Sequence, residues 1–90
     1  MSMLDAFAHV KRLAADYRTM TDAYDEELLA AHNAGHGTLQ GMEHLRKANA
    51  MAPYVLDLLT RYQAAVAGLA AAIANEVDQE SRVQSGRRRA

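Results

Sequence analysis

The stretch His32-Asn33-Ala34-Gly35-His36-Gly37-Thr38 decides the fold, because it is the one turn signal between two long amphipathic segments. Gly35 and Gly37 permit the left-handed backbone that ends a helix and turns the chain tightly. Thr38 can cap the start of a following helix with its side-chain oxygen. The stretch therefore predicts an antiparallel helical hairpin that turns at residues 32–37.

The residues before the turn predict one long helix. Ser2 followed by Asp5 has the spacing of a capping box, with Asp in place of the usual Glu. Apolar positions then recur at alternating spacings of three and four residues, which is typical of an amphipathic helix with a coiled-coil-like seam. These positions are Met3, Phe7, Val10, Ala14, Tyr17, Thr21, Tyr24, Leu28 and Ala31. We expect a helix of about 30 residues, roughly 45 Å long.

A second helical pattern follows the turn, and Pro53 interrupts it. A proline inside a helix removes one backbone hydrogen bond, and its ring clashes with the carbonyl of Asn49, so we expect a kink or a break. Beyond the proline the seam resumes at Val55, Leu59, Tyr62, Val66, Leu69 and Ile73. The sequence thus predicts an all-α chain, with one hairpin domain over residues 1–81 and a basic tail over residues 82–90 that frays.

The alanine-rich composition predicts self-association. Nineteen of the 90 residues are alanine, while phenylalanine contributes one residue and tryptophan none. At roughly 25 cal/mol per Å² of buried apolar surface, a lone hairpin of this composition is marginal. Residues 64–74 are apolar all round the helix, which indicates burial on more than one side. We expect a homo-oligomer, a dimer or larger, that forms a helical bundle through Ala64, Gly68, Leu69, Ala72 and Ile73.

The charge distribution argues against a DNA-binding domain. Residues 1–81 hold six basic and eleven acidic residues, a formal charge of −5. The cluster Arg87-Arg88-Arg89 fits a solvated tail, and the alternative is a weak, salt-sensitive contact with nucleic acid or an acidic partner.

Cysteine content and hydropathy indicate the compartment. The chain has no cysteine, so neither a disulfide framework nor a thiolate metal site is expected. Residues 62–75, the longest stretch without a charged residue or a histidine, are fewer than the roughly 20 residues of a membrane span. The N-terminus lacks a basic region followed by an apolar one, so no signal peptide is expected. We expect a cytoplasmic protein.

Histidines near the turn raise the question of a metal site. His32 and His36 are four residues apart, and Glu43 and His44 follow across the turn. Imidazole and carboxylate ligands suit zinc or a similar divalent ion. The glycines break the helical register, however, and a histidine at a helix C-terminus is favoured by the helix dipole alone. We expect no metal and no other cofactor.

Acidic residues make one face of the first helix a candidate docking surface. Carboxylates serve acid–base catalysis only in a sheltered cleft that separates their pKa values, and these fall mostly outside the apolar seam. A solvated face is the simpler interpretation. The sharper one is a surface that docks on a basic protein, with Asp22, Asp25, Glu26 and Glu27 as its contacts.

Tyrosines next to cations suggest a nucleotide site between subunits. Tyrosines on a helical seam usually belong to the core, with their hydroxyls at its edge. An aromatic ring can instead stack on a nucleobase while a cation holds a phosphate. The candidates are Tyr17, Arg18, Arg46 and Lys47. No Ser/His/Asp order or phosphate-binding glycine loop is present in the sequence, so we do not expect an enzyme.

Residues 48–69 begin Ala-Asn-Ala-Met-Ala-Pro-Tyr-Val-Leu-Asp-Leu-Leu and continue into an amphipathic helix. This segment resembles small accessory proteins of tailed bacteriophages, over about a quarter of the chain. The resemblance carries over no functional residues. It implies a phage-type, non-enzymatic protein that binds and inhibits or sequesters a host factor, such as a defence protein, in the host cytoplasm. Two alternatives stay open: an oligomer that sequesters a nucleotide signal, and a structural component of the virion.

Overall fold

The computed structural model describes the backbone of residues 2–89 and the side chains of residues 2–86. Helix α1 spans Met3–Ala34 and helix α2 spans Leu39–Arg89, and the two pack against each other in antiparallel orientation. No strand occurs in the described part of the chain, so the predicted all-α hairpin is confirmed. The molecule is a rod of 77 × 17 × 15 Å.

Local turn chemistry fixes both ends of α1. The Ser2 hydroxyl accepts a hydrogen bond from the Asp5 N–H at 3.1 Å, as the capping-box spacing predicts. Gly35 has a φ of 91°, and its N–H donates to the carbonyls of Ala31 and His32 at 3.1 and 3.3 Å. Glycine is needed there because side chains disfavour a positive φ. Gly37 has no positive φ, so the left-handed residue of the turn is Gly35 alone.

The first turn of α2 packs directly against the end of α1. The Thr38 hydroxyl accepts a hydrogen bond from the Gly41 N–H at 3.0 Å, which confirms the predicted helix cap. Gly41 is buried, and a Cβ atom built on it would overlap the carbonyl oxygen of Gly35 and lie 2.8 Å from its carbonyl carbon. The sequence did not single out Gly41, yet this contact sets how the second helix leaves the turn.

The second arm is one continuous helix. Either a kink or a break was expected at Pro53, and residues on both sides of it belong to α2, so the helix does not break there. Asn49, whose carbonyl loses its backbone donor, is exposed, as is Pro53, so water can take the donor's place. The backbone of the predicted tail is helical from Arg82 through Arg89, and its fraying stays a prediction. The side chains of Arg87, Arg88 and Arg89 lie outside the described part.

The contact between the helices consists mainly of small residues. The buried hydrophobic residues are Ala6, Leu13, Ala31, Ala48 and Ala65. The predicted seam is therefore rotated by one residue in places. Phe7 and Val66, which were assigned to it, are 50% and 41% exposed, while the preceding residues Ala6 and Ala65 are buried. Alanines allow the two backbones to approach closely, and larger side chains then lie beside the contact rather than in it.

Helix α2 extends beyond α1. Ala6 and Ala72 line the same groove, so α1 begins beside that part of α2. Every residue from Ile73 to Gly86 is exposed. The part of α2 from Ile73 onward therefore has little of α1 to pack against. Within the described residues, neither helix has a stretch apolar enough and long enough to span a membrane.

Candidate functional site

An open groove runs between the two helices near the N-terminus of α1. It has a volume of about 460 Å³ and is bounded mostly by alanine and glycine. A Cβ atom built on Gly68 would meet no other atom within 4 Å, so the floor of the groove is empty at that point. Its lining residues are Ala6, His9 and Leu13 of α1 and Arg61, Ala64, Ala65, Gly68 and Ala72 of α2.

The five residues of the predicted oligomer interface lie in three different environments. Ala64, Gly68 and Ala72 line the groove, as a ridge meant for another helix would. Leu69 is half-buried in the hairpin contact. Ile73 is 45% exposed on another side of α2. The three small residues therefore form the part of the set that is open to a neighbour.

A second surface of the hairpin is apolar and built from larger side chains. On α2, each residue of this surface comes one position after a buried or half-buried residue. Ala64, which lines the groove, instead comes one position before a buried residue. One residue turns a helix by about 100°. This surface therefore lies on the side of the hairpin opposite the groove. We call it the apolar face, and its exposed members are Phe7, Leu28, Leu45, Val66 and Ile73.

The four acidic candidates on α1 do not form one exposed surface. Asp22, Asp25 and Glu26 are exposed. The Glu27 carboxylate instead lies 2.7 Å from Nδ1 of His44, with side chains 22% and 33% exposed. This pair joins α1 to α2 near the turn. We therefore call only the three exposed residues the acidic strip.

The predicted nucleotide-binding residues do not converge within one chain. The ring of Tyr17 stacks on Tyr62 between the helices, with centroids 6.4 Å apart and an interplanar angle of 5°. Tyr62 and Arg46 are sixteen residues apart along α2, which is about 24 Å. Arg46 itself lies 3.2 Å from the Glu43 carboxylate. The other two candidates, Arg18 and Lys47, are exposed.

The histidines of the turn contact each other rather than a carboxylate cluster. The rings of His32 and His36 meet edge to face with centroids 5.9 Å apart. Among the described residues, no group of three or more His, Asp or Glu side chains is placed to hold a metal ion. Nothing in this region therefore supports the zinc interpretation.

Two ion pairs lie along α2, on either side of the small residues of the groove. The Arg61 guanidinium lies 3.0 Å from the Asp57 carboxylate, and the Arg82 guanidinium lies 3.2 Å from the Asp78 carboxylate. Each pair spans four residues, so each lies on one side of the helix. All four side chains are more than half exposed, and exposed pairs of this kind add little to stability by themselves.

Comparison of the chain with protein-family models, with curated proteins and with solved structures finds no match in any of the three. A function is therefore inferred from the surfaces of the hairpin itself, which are the groove, the apolar face and the acidic strip.

Proposed function

We propose that this chain is a non-enzymatic interaction protein that self-associates as a helical bundle and binds a protein partner through its helix surfaces. The composition of the core carries this proposal. Among the residues with described side chains, five hydrophobic residues are buried, of which four are alanines and the fifth is Leu13. Fourteen large hydrophobic side chains are exposed in the described part of the chain. A single hairpin thus leaves uncovered most of the apolar surface that could stabilise it.

The energetic argument compares what the hairpin buries with what it exposes. Full burial of a Val, Leu, Ile or Phe side chain contributes about 1.5–3 kcal/mol, and an alanine contributes much less. Small domains need such contributions because ordering a residue costs about 1.5 kcal/mol. A second copy adds burial by covering part of the surface that the single hairpin leaves exposed. Helix α2 is continuous at Pro53, and the kink expected there stays a prediction.

Unfolding should therefore depend on protein concentration. Association stabilises the folded state by mass action, so the thermal midpoint rises as the concentration rises. We expect a clear upward shift of the midpoint in circular dichroism melts between about 2 and 200 µM, a range over which mass action alone contributes about 2.7 kcal/mol. A midpoint that stays constant over this range would contradict self-association.

For the partner, we propose a basic surface of a host factor. The acidic strip carries this part, since Asp22, Asp25 and Glu26 are exposed and Asp22 lies three and four residues before the other two on α1. A strip of this kind steers association with a positively charged partner. Together with the phage-like segment, it supports a cytoplasmic accessory protein that inhibits or sequesters its target.

Charge removal on the strip should abolish partner capture. In the test variant Asp22→Asn, Asp25→Asn and Glu26→Gln are combined. A control variant removes three negative charges elsewhere, through Asp16→Asn, Glu43→Gln and Glu80→Gln. Quantitative affinity capture from host lysate should recover a partner with the wild type and the control, and lose it with the test variant. Equal recovery with both variants would refute the role of the strip, and an empty capture would refute the host-factor proposal.

A further inference from the structure

One stripe of α2 combines a small-residue centre with charged ends. Its residues recur at alternating spacings of four and three, so they share one side of the helix, as in a coiled coil. Every one of them is exposed, and three of them line the groove. We call this the groove stripe, and its residues are Asp57, Arg61, Ala64, Gly68, Ala71, Asn75, Asp78 and Arg82.

The charges of the groove stripe are complementary to themselves when a second copy runs in the opposite direction. Each end has an aspartate followed four residues later by an arginine. The pairs Asp57/Arg82 and Arg61/Asp78 share one midpoint, which lies between residues 69 and 70. A single antiparallel register therefore sets both pairs of opposite charges face to face. By two-fold symmetry each contact occurs twice.

The parallel arrangement has the opposite electrostatics. With two copies of α2 in parallel and in register, each stripe residue would face its own equivalent. Asp57 would then meet aspartate, and Arg61 would meet arginine, with the same conflict at the other end. Like charges placed side by side are destabilising. The charge order of the stripe thus favours the antiparallel pairing.

Building on the proposed self-association, we propose that a second copy of this chain docks antiparallel along the groove stripe, with Arg61 of each copy paired to Asp78 of the other and Asp57 paired to Arg82. The same register sets Ala64 opposite Asn75 and Gly68 opposite Ala71. The centre of the interface is therefore made of small side chains only. Helices with such residues at the contact approach to the short end of the usual 8–10 Å range.

The open groove fits this close approach. At Gly68 the space beyond the backbone is empty of the chain's own atoms. The intrahelical pairs at each end remain able to form when the copies meet, because arginine donates through several N–H groups. Each end then becomes a four-membered network of two carboxylates and two guanidinium groups. Networks contribute more than isolated exposed pairs do.

The register also covers the part of α2 that extends beyond α1. Residues 73–86 of one copy would lie along residues 53–66 of the other, which have α1 behind them. Most of the stability of a helix in a protein comes from tertiary packing of one of its faces. The exposed run from Ile73 to Gly86 thus gains a packing surface.

The N-terminal parts of α1 agree with the same arrangement. Ala6 and Leu13, seven residues apart on α1, line the groove together with Ala72 and Ala65, seven apart on α2. We take Ala6 to lie beside Ala72 and Leu13 beside Ala65. The proposed register then brings Asp5 of one copy to the same height along the helix axis as Arg12 of the other. Both share a side of α1 with His9, which lines the groove. The register thus places residues of opposite charge at the same level on the two α1 helices.

Engineered cysteines test the register directly, because the chain has none of its own. A variant with Ala64→Cys and Asn75→Cys should form disulfide-linked dimers under mild oxidation. Either substitution alone should not, since its two copies would be about 16 Å apart along the interface, beyond the roughly 7 Å that a disulfide can bridge. Dimers linked through Ala64→Cys alone would show a parallel pairing and overturn the proposal.

A matched pair of cysteines separates the groove stripe from the apolar face. Val66→Cys with Ile73→Cys has the same midpoint but lies on the other side of α2. We expect no cross-link from this variant. Cross-linking through it, in place of the pair at 64 and 75, would show that the apolar face holds the second copy and would overturn the proposal.

Charge exchange provides an independent test that preserves the helix. Asp57→Arg with Arg61→Asp keeps an intrahelical pair but sets like charges against the other copy, so we expect at least tenfold weaker dimerisation. Asp78→Arg with Arg82→Asp should do the same. An equimolar mixture of the two variants should recover wild-type affinity as a heterodimer. If both charge-exchange variants dimerised with wild-type affinity, the register would be wrong but self-association would stand. A monomeric wild type would refute both the register and self-association.

Discussion

Replacing Gly41 by alanine is expected to destabilise the hairpin by about 2 kcal/mol, the middle of the range for overpacked sites. In an ordinary helix position this change is stabilising by about 1 kcal/mol. Here the new methyl group would overlap the backbone carbonyl of Gly35, which cannot rotate away as a side chain can. It would also lie 3.1 Å from the Thr38 hydroxyl that caps α2. Urea unfolding followed by circular dichroism at fixed concentration measures the change.

Gly37→Ala is the matched control for this prediction. A Cβ atom at Gly37 would meet nothing within 4 Å, and its φ is not positive. Alanine there should be neutral, or stabilising by about 0.4–1 kcal/mol, because it restricts the unfolded chain. If Gly41→Ala were as stable as Gly37→Ala, α2 would not start as closely against the end of α1 as described.

Replacing Gly68 by leucine is expected to weaken dimerisation by at least roughly thirtyfold. A leucine would occupy the groove and oppose Ala71 of the other copy, and two-fold symmetry makes the clash occur twice. Overpacking of one site typically costs about 1–3 kcal/mol, so two such sites cost at least about 2 kcal/mol, which corresponds to this loss of affinity. The same change should stabilise the helix itself by about 0.8 kcal/mol, because leucine is a better helix former than glycine. Sedimentation equilibrium measures the affinity, and helix content serves as the check on folding.

Gln63→Leu is the control for this second prediction. Residue 63 is exposed and lies about 140° round the helix from residue 68. The added apolar side chain is the same, but it points away from the groove stripe, so the dimer should retain wild-type affinity. Equal weakening by both substitutions would show that the groove is not the contact between copies.

The hairpin was predictable because its determinants are local. Ser2, Gly35 and Thr38 act within a few residues of themselves, through capping hydrogen bonds and one positive φ. The spacing of apolar residues on either side of the turn was enough to predict two helices. At Pro53 the sequence left a kink and a break open, and this proline, which lies exposed on a long helix, removes one hydrogen bond without ending the helix.

The rotation of the helices about their axes was not predictable from the pattern. Ala6 and Phe7 are both apolar, and a periodicity that favours the larger residue puts Phe7 in the contact. The structure buries Ala6, since small residues allow the closer approach. In residues 64–74 nearly every position is alanine, glycine or a larger apolar residue, so the sequence defines no unique inner side.

Contacts between the two helices depend on their relative register, which a single sequence does not reveal. Glu27 was expected on the docking surface, but the register places it against His44. Tyr17 was a candidate ligand contact, but it stacks on Tyr62 between the helices. The acidic strip was predicted correctly as an exposed set at Asp22, Asp25 and Glu26, because those positions lie outside the apolar pattern. Its role in binding stays a prediction.

Self-association is the central claim, and the molar mass of the wild-type chain in solution tests it most directly. Sedimentation equilibrium at micromolar concentrations should give about 20 kDa, twice the chain mass of 9.9 kDa, with partial dissociation on dilution. A mass of 9.9 kDa at all concentrations, with helix content undiminished, would contradict it.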